Sequence, residues 1–135
     1  MRLSGASKRR IAHDPPYMDV AGPRDAPPVV FAHGIGVTRK QWLPQMRDLA
    51  DAYRVIATDL PGHGALADTR FSLDAAAAHL DRVIDEVAGK PALVVGISLG
   101  GYVAMHLAQR NAGRLAGLVL TGCSANPRGV LAIIP

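Results

Sequence analysis

Among its 135 residues the sequence has a single cysteine, Cys123. One thiol excludes an internal disulfide and fits a reducing compartment, and its place at a strand end reads as a small structural residue. No apolar stretch reaches the length of a membrane span. Arg9-Arg10 leads into Ile-Ala-His-Asp-Pro-Pro and not into an apolar core, so no export signal is expected and the cytoplasm is the default location. The Lys8-Arg9-Arg10 cluster lacks interleaved aromatics and the net charge is only +4, which describes a solvated tail better than a nucleic-acid arm. Carboxylates are missing altogether after Ser98, and His106 is the one histidine beyond it.

Apolar residues are plentiful. At 49% hydrophobic the chain can bury a core, and its length bounds it to one domain at most. Residues 1–28 read as a lead-in with one or two weak strands over 11–21, interrupted by Pro15-Pro16, and a turn-forming linker over 22–28. Val29-Val30-Phe31-Ala32 is a short strand running into His33-Gly34-Ile35-Gly36. A helical segment follows over about 40–51, with Trp42, Met46, Leu49, Ala50 and Tyr53 on one apolar face. Pro44 is tolerable only in a first turn, so the regular helix should begin near Leu43. Residues 54–58 form another strand, ending in Asp59-Leu60-Pro61-Gly62-His63-Gly64.

Residues 72–88 carry the clearest helical pattern. Leu73, Ala76, Ala77, Leu80, Val83, Ile84 and Val87 make an unbroken stripe, with His79 on the surface of that helix. Ser72 can cap its start, Asp74 suits its dipole, and Gly89 with Pro91 ends it. The run at 92–97 is too short for a helix and is read as a buried strand, and 117–121 is a further strand. Strands alternating with helices at this spacing predict a mostly parallel sheet with helices on both faces. Sites on such sheets form at the carboxyl ends of strands, where His33-Gly34, Asp59 and Ser98 all fall.

The stretch Gly96-Ile97-Ser98-Leu99-Gly100 joins a strand to a helix with a serine at the apex. A serine raised on so sharp a turn needs small residues two positions to either side, so that strand and helix can approach. Gly96 and Gly100 supply them. Gly101 removes a further side chain at the helix start.

Together VVFAHGIG, DLPGHG and GISLGG, in that order, make residues 28–125 resemble the α/β-hydrolase superfamily, in its serine-nucleophile branch with an HG oxyanion turn. The resemblance implies an α/β-hydrolase fold truncated after about the sixth strand. On this reading 29–125 is the N-terminal part of the core, and 126–135 starts a lid segment. Ser98 would be the nucleophile, with the N–H groups of Leu99 and Ile35 as oxyanion donors. Gly34 and Gly36 would leave that loop free of side chains, while His33, Asp59 and His63 would be architectural.

The family order is serine, then acid, then histidine. His106 lies eight residues past the serine on the following helix, a place for a core or groove histidine, so the triad acid and base are expected to be absent. The expected function is a serine hydrolase acting on a small ester, lactone or similar carbonyl through an acyl-serine, with little turnover by this chain alone. No metal, cofactor, nucleic-acid partner or membrane span is expected. A ligand-binding or partner module on the same scaffold, or a fragment without independent function, is the alternative. Residues 117–121, left unpaired on one side, would be an exposed edge prone to aggregation.

Overall fold

The computed structural model describes residues 10–124. Five strands form one sheet in the order β1-β3-β2-β4-β5. They are β1 (Met18–Ala21), β2 (Pro28–Ala32), β3 (Arg54–Thr58), β4 (Ala92–Ile97) and β5 (Leu115–Thr121). β1 runs antiparallel to β3 and every other pairing is parallel. Residues 11–21 therefore yield one strand plus an isolated bridge between Ala12 and Val20.

Alternation along the strands sorts the core into two layers. Val30, Ala32, Ile56 and Val94 face α2 (Leu73–Val83) and α3 (Leu99–Arg110), meeting Leu80, Ile84, Val103 and Leu107. Val29, Phe31, Val55 and Ala57 face the other way, onto Trp42, Met46 and Ala50 around α1 (Leu43–Leu49). Helices thus cover both faces.

The punctuation in the sequence acts where its chemistry allows. Ser72 accepts a hydrogen bond from the Ala75 N–H at 3.0 Å, capping α2. Gly89 takes a left-handed φ of 69° and ends the π-helical turn Ile84–Ala88 that prolongs α2. Pro44 sits in the first turn of α1, behind the 3₁₀ turn Arg39–Trp42. Tyr53 departs from its expected place on the apolar face: it lies beyond α1 and is exposed.

Among the described residues β5 is an edge strand, with Leu118, Val119 and Leu120 exposed. It starts two residues earlier than the pattern suggested, and no charged residue interrupts it. Nothing that guards an edge, neither lysine nor proline, lies in its seven residues. Lys8 and Arg9 of the basic cluster and the expected lid start at 126–135 lie outside the described residues.

Candidate active site

β4 turns into α3 through one residue. Ser98 holds φ 52° and ψ −115°, the one non-glycine residue at positive φ among those described. A side chain there is strained by about 1–3 kcal/mol, and the surroundings must over-determine the turn to keep it. They do so from both sides. The Ser98 N–H donates to the Thr121 carbonyl at 2.9 Å, extending the β4–β5 ladder, and the Ser98 carbonyl accepts the first α-helical bond from Tyr102 at 3.1 Å.

The two flanking glycines are places of backbone contact. A Cβ on Gly96 would lie 2.5 Å from the Gly100 carbonyl oxygen, and one on Gly100 would lie 2.1 Å from the Ala32 oxygen. The first turn of α3 is therefore seated directly on the end of β2. Gly34 closes the same corner: a Cβ there would be 3.9 Å from the Ser98 Cβ. Ser98 is half-buried, and no side chain hydrogen-bonds its hydroxyl among the described residues. Leu99 opens α3 with its side chain buried, so its N–H is among the amides that a helix start leaves without an intrahelical partner. Ile35 is exposed at the tip of the loop after β2.

His33 is fully buried and both ring nitrogens are engaged. The Leu60 N–H donates to Nε2 at 3.0 Å, so Nδ1 carries the proton and donates to the Gly34 carbonyl at 2.7 Å. Burial, with the neighbouring His63 adding to it, pushes its pKa below the usual histidine value. The ring is thus a neutral tie between the β2 and β3 loops, with no lone pair left for base chemistry. His63 sits against it at 4.9 Å between ring centroids and bonds the Pro61 carbonyl through Nδ1 at 3.1 Å.

Asp59 is buried and holds two loops at once. It accepts from the Arg39 N–H at 2.8 Å, from the Arg39 guanidinium at 2.6 Å and from the Ala65 N–H at 3.0 Å. Arg39 also reaches Asp19 at 2.9 Å, and Asp19 takes Lys40 at 2.7 Å and His13 at 2.6 Å. Burial alone would raise the Asp19 carboxyl, but the hydrogen bonds from Lys40, His13 and Arg39 outweigh it and hold its pKa below the usual value. Asp19, Arg39 and Gln41 belong to no motif in the sequence, yet all three join this network, the Gln41 Oε1 accepting the Gly34 N–H at 3.0 Å. A signal was present, since an aspartate in the otherwise apolar Met18-Asp19-Val20-Ala21 has to find a partner if the strand is buried.

His106 and His79 are each engaged by other partners. His106 is half-buried at the seam of α2 and α3, bonded to Asp74 at 2.7 Å. Eight helical residues separate it from Ser98, a rise of about 12 Å. His79 corrects the expectation of a surface residue. It is buried on the β1 side of α2, where its Nε2 meets Thr58 Oγ1 at 2.7 Å and Tyr17 packs edge-on. The Thr58 hydroxyl already donates to the Asp59 carbonyl, so the neutral imidazole donates to Thr58.

Burial first, then the nearby Arg82 charge, pushes the His79 pKa down to about 4. A depressed histidine stabilises the fold above its unfolded value near 6.5, and that stability drains away as pH falls from there towards 4. The expected loss from pH 7 to pH 5 is about 2 kcal/mol from this residue alone. Urea titrations at the two pH values should show it, and His79→Phe should remove most of the difference; an unchanged difference would assign the acid sensitivity elsewhere.

Among the described residues no group of three or more His, Cys, Asp or Glu side chains is arranged to hold a metal ion, and no helix is long and apolar enough to cross a membrane. The model of the alpha/beta hydrolase family matches residues 29–135. Among curated proteins, the magnesium-chelatase 30 kDa subunit of Rhodobacter capsulatus is 35% identical, aligning 78% of this chain with 38% of its own length. The pimeloyl-acyl-carrier-protein methyl ester esterase of Neisseria meningitidis serogroup B is 39% identical over 72% of this chain and 36% of its own. The solved structure of Rv0554 from Mycobacterium tuberculosis superposes with a TM-score of 0.71 at 30% identity, covering 88% of this chain and 47% of that one. The chain thus spans less than half the length of each of these proteins.

Proposed function

This chain belongs to the alpha/beta hydrolase family, and from that membership we propose that it carries the nucleophile and the oxyanion donors of a serine hydrolase acting on small esters, lactones or similar carbonyls. Ser98 is the nucleophile. The N–H groups of Leu99 and Ile35 bind the oxygen that becomes negative as the tetrahedral intermediate forms, each worth about 3 kcal/mol in comparable sites. The observation that carries the reading is the strained Ser98 backbone at a one-residue strand–helix junction, with the Gly34 backbone against its Cβ. Strain of this kind is retained where a side chain has to be presented.

The step itself is simple. Ser98 Oγ bonds to the carbonyl carbon, the ester C–O bond breaks, and the alcohol leaves with a proton. Water then releases the acid. The hydroxyl proton has no acceptor side chain among the described residues, and no carboxylate follows Ser98 in the sequence, so an activated ester can acylate Ser98 but turnover by this chain is slow.

The test uses the chain as it stands. A fluorophosphonate, which loses fluoride on forming an Oγ–P bond, should add one phosphonyl group, located at Ser98 by peptide mass. p-Nitrophenyl acetate should give a burst of one equivalent followed by slow release. No adduct, or an adduct elsewhere, sinks the reading in favour of a partner module, which the chelatase-subunit relative favours. Sustained fast turnover that depends on Ser98 would mean that the chain supplies a general base of its own.

A further inference from the structure

The loop that brings Ile35 to the site is pinned on both sides of an exposed tip. Before the tip, His33 is tied to Leu60 and to its own Gly34 carbonyl, and the Gly34 N–H is taken by Gln41. The Gly34 amide is therefore spent, and the Ile35 amide is the first one in the loop left for a ligand. After the tip, Arg39 is the anchor. Its peptide N–H and one arm of its guanidinium bind the two oxygens of Asp59, and its Nε binds Asp19.

Both carboxylates are fully buried and the Arg39 side chain is only 12% exposed. Asp19 belongs to β1 and Asp59 follows β3, and those strands are neighbours in the sheet. Burial would lower the Arg39 pKa, but the two aspartates more than reverse it.

We propose that Arg39 is a positioning residue of the site: by locking the far end of the loop onto Asp19 and Asp59 it sets where the Ile35 N–H stands relative to Ser98. The proposal rests on the serine-hydrolase reading and adds a residue that touches neither substrate nor nucleophile. Pre-set amide donors matter because they need no reorganisation during reaction, and a displacement of about 1 Å can cost about 100-fold. A planar guanidinium can hold two carboxylates at once in fixed directions, which an ammonium cannot reproduce.

The test compares fluorophosphonate labelling of the full chain with Arg39→Met and Arg39→Lys, separating the maximal labelling rate from the reagent's half-saturating concentration. Labelling at Ser98 in the unsubstituted chain must come first; its absence defeats the serine-hydrolase reading and is distinct from any result at Arg39. Given that labelling, Arg39→Met should lower the maximal rate by about 10- to 100-fold with half-saturation nearly unchanged. Amide exchange at Ile35 should quicken in step, and millimolar guanidinium should restore part of the rate. If Arg39→Met does not fold, Arg39→Lys keeps a cation between the carboxylates and carries the same expectation to a smaller extent. A folded variant that labels at the unsubstituted rate overturns the proposal. So does a slower rate without faster Ile35 exchange, because the effect would then not pass through the loop.

Discussion

Ser98→Ala should reduce phosphonate labelling from one equivalent to none and erase the p-nitrophenyl acetate burst, while leaving the fold in place. Alanine keeps the Cβ and the backbone strain of the serine at φ 52°, so the turn has no reason to relax. Only the oxygen is lost. Other hydroxyls provide the control for nonspecific chemistry, because an exposed serine lacks oxyanion donors and reacts at the background rate. On the proposed reading, two donors at about 3 kcal/mol each would separate Ser98 from such a residue by several powers of ten, even without a base. Ser98→Gly adds an independent readout. Glycine accepts positive φ without a Cβ penalty, so this variant should also lose labelling but melt higher, gaining about 1 kcal/mol. A Ser98→Gly that melts lower would show that the serine side chain holds the turn and is not held by it. Residual burst in Ser98→Ala would place the acyl group on another residue.

Much of the scaffold was readable because its determinants are local. The Ser72 cap lies three residues from the amide it binds, and the Leu73-to-Ile84 stripe declares the buried face of α2 within a single helix. The strand–turn–helix at Ser98 is likewise a matter of six consecutive residues. What escaped was non-local or depended on a second layer. Arg39 and Asp59 are 20 residues apart, as are Arg39 and Asp19, and no periodicity links them. His79 illustrates the other failure. Its position flanks the apolar stripe, and from the helix alone it belongs to solvent; Tyr17 and Thr58, from the lead-in and β3, close over it. Tyr53 fails in the opposite sense, since its spacing fits the apolar face but the helix ends four residues before it. A periodicity is informative only as far as the helix extends.

Gly100→Ala should destabilise the chain by about 3 kcal/mol or more, and here local and tertiary reasoning predict opposite signs. Gly100 lies inside α3, where alanine is favoured over glycine by about 1 kcal/mol and the substitution ought to stabilise. The tertiary geometry forbids it. The added Cβ would lie 2.1 Å from the Ala32 oxygen, 2.5 Å from the Ala32 carbonyl carbon and 2.7 Å from the His33 oxygen. All three atoms are backbone, and they end a strand paired on both sides, β3 on one and β4 on the other. No rotamer can yield. Either α3 lifts from the sheet or β2 is pushed out of register, and the Gly34–Ser98 contact opens in both cases. Gly113 supplies the control, since its Cβ would meet only Asn111 Oδ1 at 3.6 Å. Gly113→Ala should therefore melt within a degree or two of the unsubstituted chain, while Gly100→Ala should melt about 12 °C lower or fail to fold. Equal or higher melting for Gly100→Ala would mean that α3 does not rest on β2. The Ile35 and Leu99 amides would then have no fixed relation to each other, and the oxyanion site built from them would lose its physical basis.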